Sequence, residues 1–297
     1  MISSIGLEAF LEVARTGSFT RAANNLGLTQ SALSQRVQKL ESDIETTLLL
    51  REKVGPKLTE AGELLLRHAQ TTAEMESDLL SRLGLGATKG GAEGLRGVLR
   101  VGGFSSVMWP LVVPAFEKLV AKNAGLRLEC MVRETRDLPG LLRTGAVDLI
   151  VADRHLDETS FESVRVGFER NVLVGPREEL GARAEAFLDH DPEDNTTRDF
   201  FRLQKWRFES VRRDYLDDVF GILEGVRRGW GRAVVPEHLV LKDKQLVVDR
   251  KARPLLTPVF LVRPRLPYYS RLQRESFETL ERGLRATLGA ASQARRA

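Results

Sequence analysis

The sequence predicts an α+β chain of several domains: a small helical unit, one long helix, and a larger α/β unit. Three observations predict it. Apolar residues recur at helical spacing from Leu7 to Ile44, broken by Gly17 and Gly27. An amphipathic pattern then runs from Glu60 to about Leu83 and gives way to GLGATKGGAEGLRG, Gly84 to Gly97. From Val98 short strand patterns alternate with helical ones, which argues for a parallel α/β sheet. A chain of 297 residues holds two or three domains and a sizeable core.

The first unit is built from three helical stretches. Leu7, Phe10, Leu11 and Ala14 fall at i, i+3, i+4 and i+7 and make one apolar face. Gly17 suits the left-handed residue that ends a helix, and Ser18 suits the cap of the next. Phe19, Ala22, Ala23 and Leu26 repeat the spacing, Gly27 stops it, and Thr29 caps a third helix cored by Leu33, Val37, Leu40 and Ile44.

Beside that core stripe lies a polar arc: Gln30, Ser31, Ser34, Gln35 and Gln38. Amides and hydroxyls near a helix N-terminus match the donors and acceptors on base edges in the major groove, where Gln bonds adenine in bidentate fashion. Arg21, Arg36 and Lys39 are placed to meet phosphates, and residues 18–40 hold no Asp or Glu. The plainer alternative is a solvated face of an ordinary three-helix bundle, although solvated faces usually mix Glu with Lys. Residues 1–60 carry seven basic and seven acidic side chains, so only local arrangement, not domain charge, supports DNA reading.

LLLREKVGPKLT, Leu48 to Thr59, reads as two short extended arms about a Gly55–Pro56 turn, with Arg51, Lys53 and Lys57 around it. Cations at a hairpin tip can lie along a phosphate backbone as a wing, positioning the protein without specifying sequence. Thr59 caps the long helix, with Glu60 and Glu63 favourable in its first turn. Leu65, Ala69, Thr72, Leu79 and Leu83 keep a heptad-like rhythm over roughly 37 Å, suited to antiparallel pairing with a second copy. Packing on its own domain is the alternative. The glycines that follow read as a hinge, because they lack the spacing of a phosphate loop.

In the larger unit, VLRVGG (Val98 to Gly103), LRLECMV (Leu126 to Val132), VDLIVA (Val147 to Ala152), ERNVLVG (Glu169 to Gly175), GRAVVP (Gly231 to Pro236) and PVFLVRP (Pro258 to Pro264) read as strands. Helices are expected around Trp109 to Val120, Tyr215 to Arg228 and Tyr268 to Leu288. Ligands in such sheets bind beyond the carboxyl ends of strands. Ser105 and Ser106 stand there, either as a helix cap or as a carboxylate site. Asp153, with Arg154, ends another strand and would attract a cation, or else forms a surface pair. Asn195, Thr196 and Thr197 offer an amide and hydroxyls on an expected loop.

Other chemistries find little support. His68, His155, His190 and His238 show no metal-ligand spacing, and no Gly-x-Ser-x-Gly elbow occurs. DHDPED, Asp189 to Asp194, lacks the glycine and terminal Glu of a calcium loop and reads as a solvated acidic turn. Cys130, the single cysteine, reads as a packed thiol. No metal, cofactor or catalytic set is expected. Without a signal-peptide pattern or a membrane-length apolar run, the expected location is the cytoplasm, with no membrane partner. From residues alone, two classes stay open: a DNA-binding regulator, or a small-molecule-binding protein or enzyme whose N-terminal helices serve only oligomerisation.

FLEVARTGSFTRAANNLGLTQSALSQRVQKLE (Phe10 to Glu41), Arg51 and LTEAGELLL (Leu58 to Leu66) resemble the LysR-type transcriptional regulators, with the match dense over residues 5–66 and diffuse beyond. RTGAVDLIVA (Arg143 to Ala152) and GVRRGWGRAVVP (Gly225 to Pro236) resemble landmarks of the same family. The resemblance implies a winged helix-turn-helix over 1–60, a linker helix pairing subunits over 61–84, and a hinge over 85–97. It implies an effector domain over 98–297 that resembles periplasmic binding proteins. Its first subdomain is expected at about 98–167 and 265–297 and its second at about 168–264. It further implies a non-enzymatic regulator that binds promoter DNA through Thr29, Gln30, Ser31, Ser34, Gln35, Arg21, Arg36, Lys39, Arg51 and Lys53. A small effector, an amino acid among the candidates, would sit in a cleft with Ser105, Ser106, Asp153, Asn195, Thr196, Thr197 and Phe220. A homodimer or homotetramer is implied. Leu48–Leu49 departs from the family's usual Leu-Phe, as do Trp230 and Arg232 from its usual residues. TQSALSQR and LLLR are similar to the branch of arginine- and lysine-responsive export regulators.

Overall fold

The computed structural model describes residues 4–52, 55–82, 94–156, 159–177, 185–209 and 211–289. Three helices open the chain: α1 (Ser4–Thr16), α2 (Phe19–Asn25) and α3 (Gln30–Asp43). The chain reverses at Gly17 and Gly27, which take φ of 62° and 65°, a region costly for residues with a Cβ. Ser18 Oγ accepts the Arg21 N–H and Thr29 Oγ1 accepts the Ala32 N–H, so both expected caps form. Phe10, Val13, Ala22, Ala23, Leu33, Val37 and Leu40 close one core, completed by Leu48, Leu49, Leu65 and Leu66.

Strands β1 (Leu49–Glu52) and β2 (Gly55–Leu58) form an antiparallel hairpin in which Glu52 faces Gly55 and Arg51 faces Pro56. Gly55–Pro56, expected as the turn, therefore belongs to the second strand, and residues 53–54 lie outside the described residues. A two-stranded ribbon tolerates this, since each strand has a free edge where a missing proline N–H costs no ladder bond. Glu41 at the end of α3 accepts the N–H groups of Leu48 and Leu49 at 2.7 and 3.0 Å, which ties the hairpin to the helical unit.

Helix α4 (Glu60–Arg82) is capped by Thr59, whose hydroxyl accepts the Gly62 N–H at 3.0 Å. It lies so close to the hairpin that a Cβ at Gly62 would stand 2.3 Å from the Leu48 carbonyl oxygen. Leu65 and Ala69, expected on a pairing face, turn into the helix's own domain, while Leu64, Met75 and Leu79 are exposed. Leu83 and residues 85–93 of the expected hinge lie outside the described residues.

The larger unit begins with β3 (Arg96–Gly103), then α5 (Ser105–Val107), a π-helical turn (Met108–Val112) and α6 (Val113–Lys122). There follow β4 (Gly125–Val132), α7 (Leu138–Arg143), β5 (Leu149–Ala152), β6 (Phe161–Pro176), β7 (Ala186–Asp189), α8 (Thr196–Gln204) and β8 (Arg212–Tyr215). The chain ends with α9 (Val219–Arg227), β9 (Ala233–Pro236), a 3-10 turn (Glu237–Leu239), β10 (Leu246–Val248), β11 (Leu255–Pro264) and α10 (Arg271–Leu288). The expected helix from Tyr215 starts only at Val219, because Arg212–Tyr215 pair with β7 as a strand and Asp218 caps the helix.

The main sheet runs β10-β6-β11-β5-β3-β4, with β9 also paired to β6. It is mixed rather than parallel. β3 is parallel to β4 and β5, but the long strands β6 and β11 run antiparallel to each other and to their other neighbours. Those two strands carry the chain between two lobes. In the first lobe, Leu99, Val101, Phe116, Leu149, Leu261, Leu280 and Leu284 pack one face of the sheet and Leu138, Leu142 and Ile150 the other. In the second lobe, Val172, Leu188, Ile222 and Val235 pack one face and Phe187, Phe200 and Phe201 the other. Val259, Leu261 and Val262 already belong to first-lobe cores, so the return crossing falls within β11, ahead of the expected 265.

Candidate nucleic-acid interface and ligand cleft

Helix α3 has two opposed faces. Leu33, Val37 and Leu40 are inside, while Gln30, Ser31, Gln35, Gln38 and Lys39 are exposed and Ser34 and Arg36 half-buried. The 14-residue helix is roughly 21 Å long, a size the major groove admits. Its N-terminal end is held in place: Thr29 Oγ1 lies 3.0 Å from Ser31 Oγ, and Thr20 Oγ1 donates to Gln30 Oε1 at 3.4 Å. Arg21 on α2 is exposed and donates to the Thr16 carbonyl at 2.6 Å, which anchors its guanidinium at the end of α1. Arg51 sits on β1 opposite Pro56, and Lys53 lies outside the described residues. The acid of α1 that approaches α2 is already engaged: Glu12 pairs with Arg15 and accepts the Asn25 amide at 2.7 Å, and the hydrogen bond from Arg15 is the main reason its carboxyl lies below the ordinary range.

In the larger unit, the turn after β3 places Ser105 and Ser106 in a buried position at the junction of the lobes, where α5 packs against α9. Ser106 Oγ donates to Glu169 Oε1 at 2.9 Å, reaching from the first lobe to a carboxylate on β6. The imidazole of His238, in the 3-10 turn after β9, meets the Ser106 carbonyl at 2.9 Å and lies 3.7 Å from the same Glu169 oxygen. Asp153, just beyond β5, has one carboxylate oxygen that is buried and accepts no hydrogen bond. Burial pushes the Glu169 carboxyl up to about 7; the Ser106 hydroxyl opposes this and the charge of Asp153 adds to it. Burial also lowers the His238 imidazole, which keeps it neutral beside Glu169.

The other expected cleft residues divide. Phe220 is exposed at the start of α9, its N–H held by Asp218. Asn195 and Thr196 open α8 rather than lying on a loop. Asn195 is spent on its own turn, bonding the Glu193 carbonyl and Arg198, while Thr196 donates its N–H to Asp194. Thr197 is fully buried, and its hydroxyl bonds Asp189, which also pairs with Arg213. That network ties Thr197 into the second lobe, with its hydroxyl engaged by Asp189.

Glu169 was missed from sequence because it sits within a strand run, and His238 because it lies in the short 3-10 turn that follows one. A signal was present for Glu169: Gly167, Glu169 and Asn171 alternate on one buried side of β6, an unusual run of non-apolar residues there. Across the lobe seam, Arg136 pairs with Glu193 at 2.7 Å and His190 lies 3.6 Å from Glu134. Glu134, His190 and Asp217 each offer one ligand atom within 4.8 Å of the others, on side chains that are half-buried or exposed. Cys130 is half-buried and its thiol is raised by burial, opposite to what a reactive thiolate requires. Among the described residues no helix is long and apolar enough to cross a membrane.

Comparison with known proteins agrees with this geometry. Residues 6–63 match the bacterial regulatory helix-turn-helix protein, lysR family, and residues 92–285 match the LysR substrate binding domain. The HTH-type transcriptional regulator HdfR of Yersinia enterocolitica is 28% identical over 267 residues, 86% of this chain and 88% of that protein. Among solved structures, ArgP from Mycobacterium tuberculosis superposes with a TM-score of 0.75 at 22% identity, covering 96% of this chain and 98% of its own. Full-length LysG from Corynebacterium glutamicum, with bound effector Arg, gives 0.70 at 23%, covering 95% and 98%. At such identities the two structures show the fold.

Proposed function

Because this chain belongs to the LysR family and is a DNA-binding transcriptional regulator with an effector-binding domain, we propose that α3 reads the operator and the lobe junction senses the effector. Gln30, Ser31, Ser34 and Gln35 read base edges, Thr29 fixes the start of the helix, and Arg21, Arg36, Lys39, Arg51 and Lys53 meet phosphates. The supporting observation is the acid-free polar row of α3, exposed above the buried spine of Leu33, Val37 and Leu40. In the proposed division residues 1–60 hold the DNA unit, 61–84 the pairing helix, 85–97 the hinge and 98–297 the sensor. Two copies pair through α4 as a homodimer or as part of a homotetramer in the cytoplasm, and set their α3 helices into successive major grooves.

The effector is a small molecule, and an amino acid fits the junction: hydroxyl contact from Ser105 and Ser106, a carboxylate from Asp153, and Phe220 on the wall. LysG, which shares the fold, was solved with Arg as effector. Binding shifts the lobes only through differential affinity for two arrangements. A gel-shift series on candidate promoter fragments, with and without effector, tests this. Specific retention that Ser105→Ala leaves intact while abolishing the effector response is the expected result. A normal response from that variant would remove Ser105 from the site.

A further inference from the structure

Among the described residues, Glu169 and Asp153 bring two acids together with no cation beside them, and one of their oxygens has no donor within the protein. Glu169 is 4% exposed, and Asp153 carries a buried oxygen without a hydrogen-bond donor. They are close enough for the Asp153 charge to act on Glu169. Among the described residues no Arg or Lys pairs with either. Arg170, next to Glu169 in the chain, points to Glu237 at 2.9 Å, and Arg250 shares that partner. The other groups that face Glu169 are a neutral hydroxyl, Ser106, and a histidine whose burial favours its neutral form. Thr257, its register partner on β11, carries no charge and bonds Asn171. Burying the Glu169 carboxyl beside a half-buried Asp153 whose inner oxygen lacks a donor is costly without a cation, and interiors resolve it by proton uptake, a paired charge or a bound one.

We propose that Glu169 and Asp153 form a dicarboxylate floor that selects an effector with a cationic head group, guanidinium or ammonium. This rests on the cleft reading given above and adds Glu169 as its specificity-determining residue. Ser106 donates to one Glu169 oxygen and orients the carboxylate, and the orphaned oxygen of Asp153 accepts a second N–H from the ligand. Because the uncharged form of Glu169 persists to near neutral pH, a cation that binds there displaces its proton to solvent.

The full-length protein is titrated calorimetrically with L-arginine, L-lysine, agmatine, putrescine and guanidinium. L-citrulline, L-norleucine and L-glutamate serve as neutral and anionic counterparts. At least one cation should bind ten or more times tighter than citrulline. Near pH 6.5 its apparent enthalpy should change with the ionisation heat of the buffer, which reports a released proton. Glu169→Gln should lower that affinity at least tenfold and remove the buffer dependence. Asp153→Asn should also weaken the cation and carries the same test should the first variant fail to fold. Citrulline binding as tightly as arginine, wild-type cation affinity in Glu169→Gln, or no binding by any of the cations would overturn the proposal. Glutamate or norleucine binding that is lost on Ser105→Ala would overturn the cation selectivity alone and leave the cleft reading standing.

Discussion

Glu169 keeps its proton to about pH 7, against an ordinary value of 4.5, because β6 removes it from water. Between those values the folded protein binds more protons than the unfolded chain, so stability falls as pH rises through the window. The effect is on the order of 3 kcal/mol across it. His238 acts on the acid side: its lowered imidazole resists protonation in the folded state, so acidification below its ordinary 6.5 also costs stability. We expect Glu169→Gln to melt closer to the wild type at pH 5 and clearly higher at pH 8, in thermal melts of the effector-free protein. A difference in Tm that stays constant from pH 5 to pH 8 would show that Glu169 is ionised throughout. The position of Ser105, Ser106 and Asp153 just beyond strand ends was legible in sequence because strand ends are marked by pattern breaks. Glu169 was not, since its burial depends on a lobe contact contributed by α5 and on the 3-10 turn that carries His238.

At the scale of elements, periodicity reported what local packing decides and failed where distant pairing decides. The three N-terminal helices and their caps follow from apolar spacing and single residues such as Ser18 and Thr29. The hairpin was foreseen, but Gly55–Pro56 was placed at its tip because local turn signals do not report register. The sheet was expected to be parallel because alternation of strands and helices is a local pattern. The antiparallel course of β6 and β11 arises from pairing between segments about 90 residues apart. On α4 the heptad rhythm named Leu65, Ala69, Thr72, Leu79 and Leu83; of these Leu65 joins the hairpin-side core, Ala69 is buried and Leu79 is exposed. Among the described side chains of α4, the large apolar ones left to water are Leu64, Met75 and Leu79, and pairing of subunits would bury them. We expect the double substitution Met75→Glu and Leu79→Glu to shift the protein to monomer in sedimentation at micromolar concentration, with a far-UV spectrum close to wild type. A wild-type oligomer in that variant would place the subunit contact elsewhere.

For the whole molecule, function requires that a reading helix and a lobe junction communicate. Seam contacts give the sensor a defined arrangement: Ser106 with Glu169, His238 with the Ser106 carbonyl, and Arg136 with Glu193. In the proposed reading, a ligand that enters between the lobes would compete with or complete these bonds, and would bias the lobes only through differential affinity for two arrangements. Residues 1–60 carry no net charge, so under the proposed reading affinity for DNA comes from the placement of a few cations, and sequence reading from the amides of α3. The most direct test is a single set of anisotropy titrations of full-length protein on its operator and on base-substituted operators, at several salt concentrations, for wild type, Gln30→Ala and Lys39→Ala. We expect Gln30→Ala to lose about 1–3 kcal/mol of discrimination between the sites while its salt dependence stays that of wild type. Lys39→Ala should weaken every site alike and reduce the slope of log affinity against log salt by about one. Full discrimination by Gln30→Ala, or a loss from it that is equal on all sequences, would contradict base reading by the exposed row of α3.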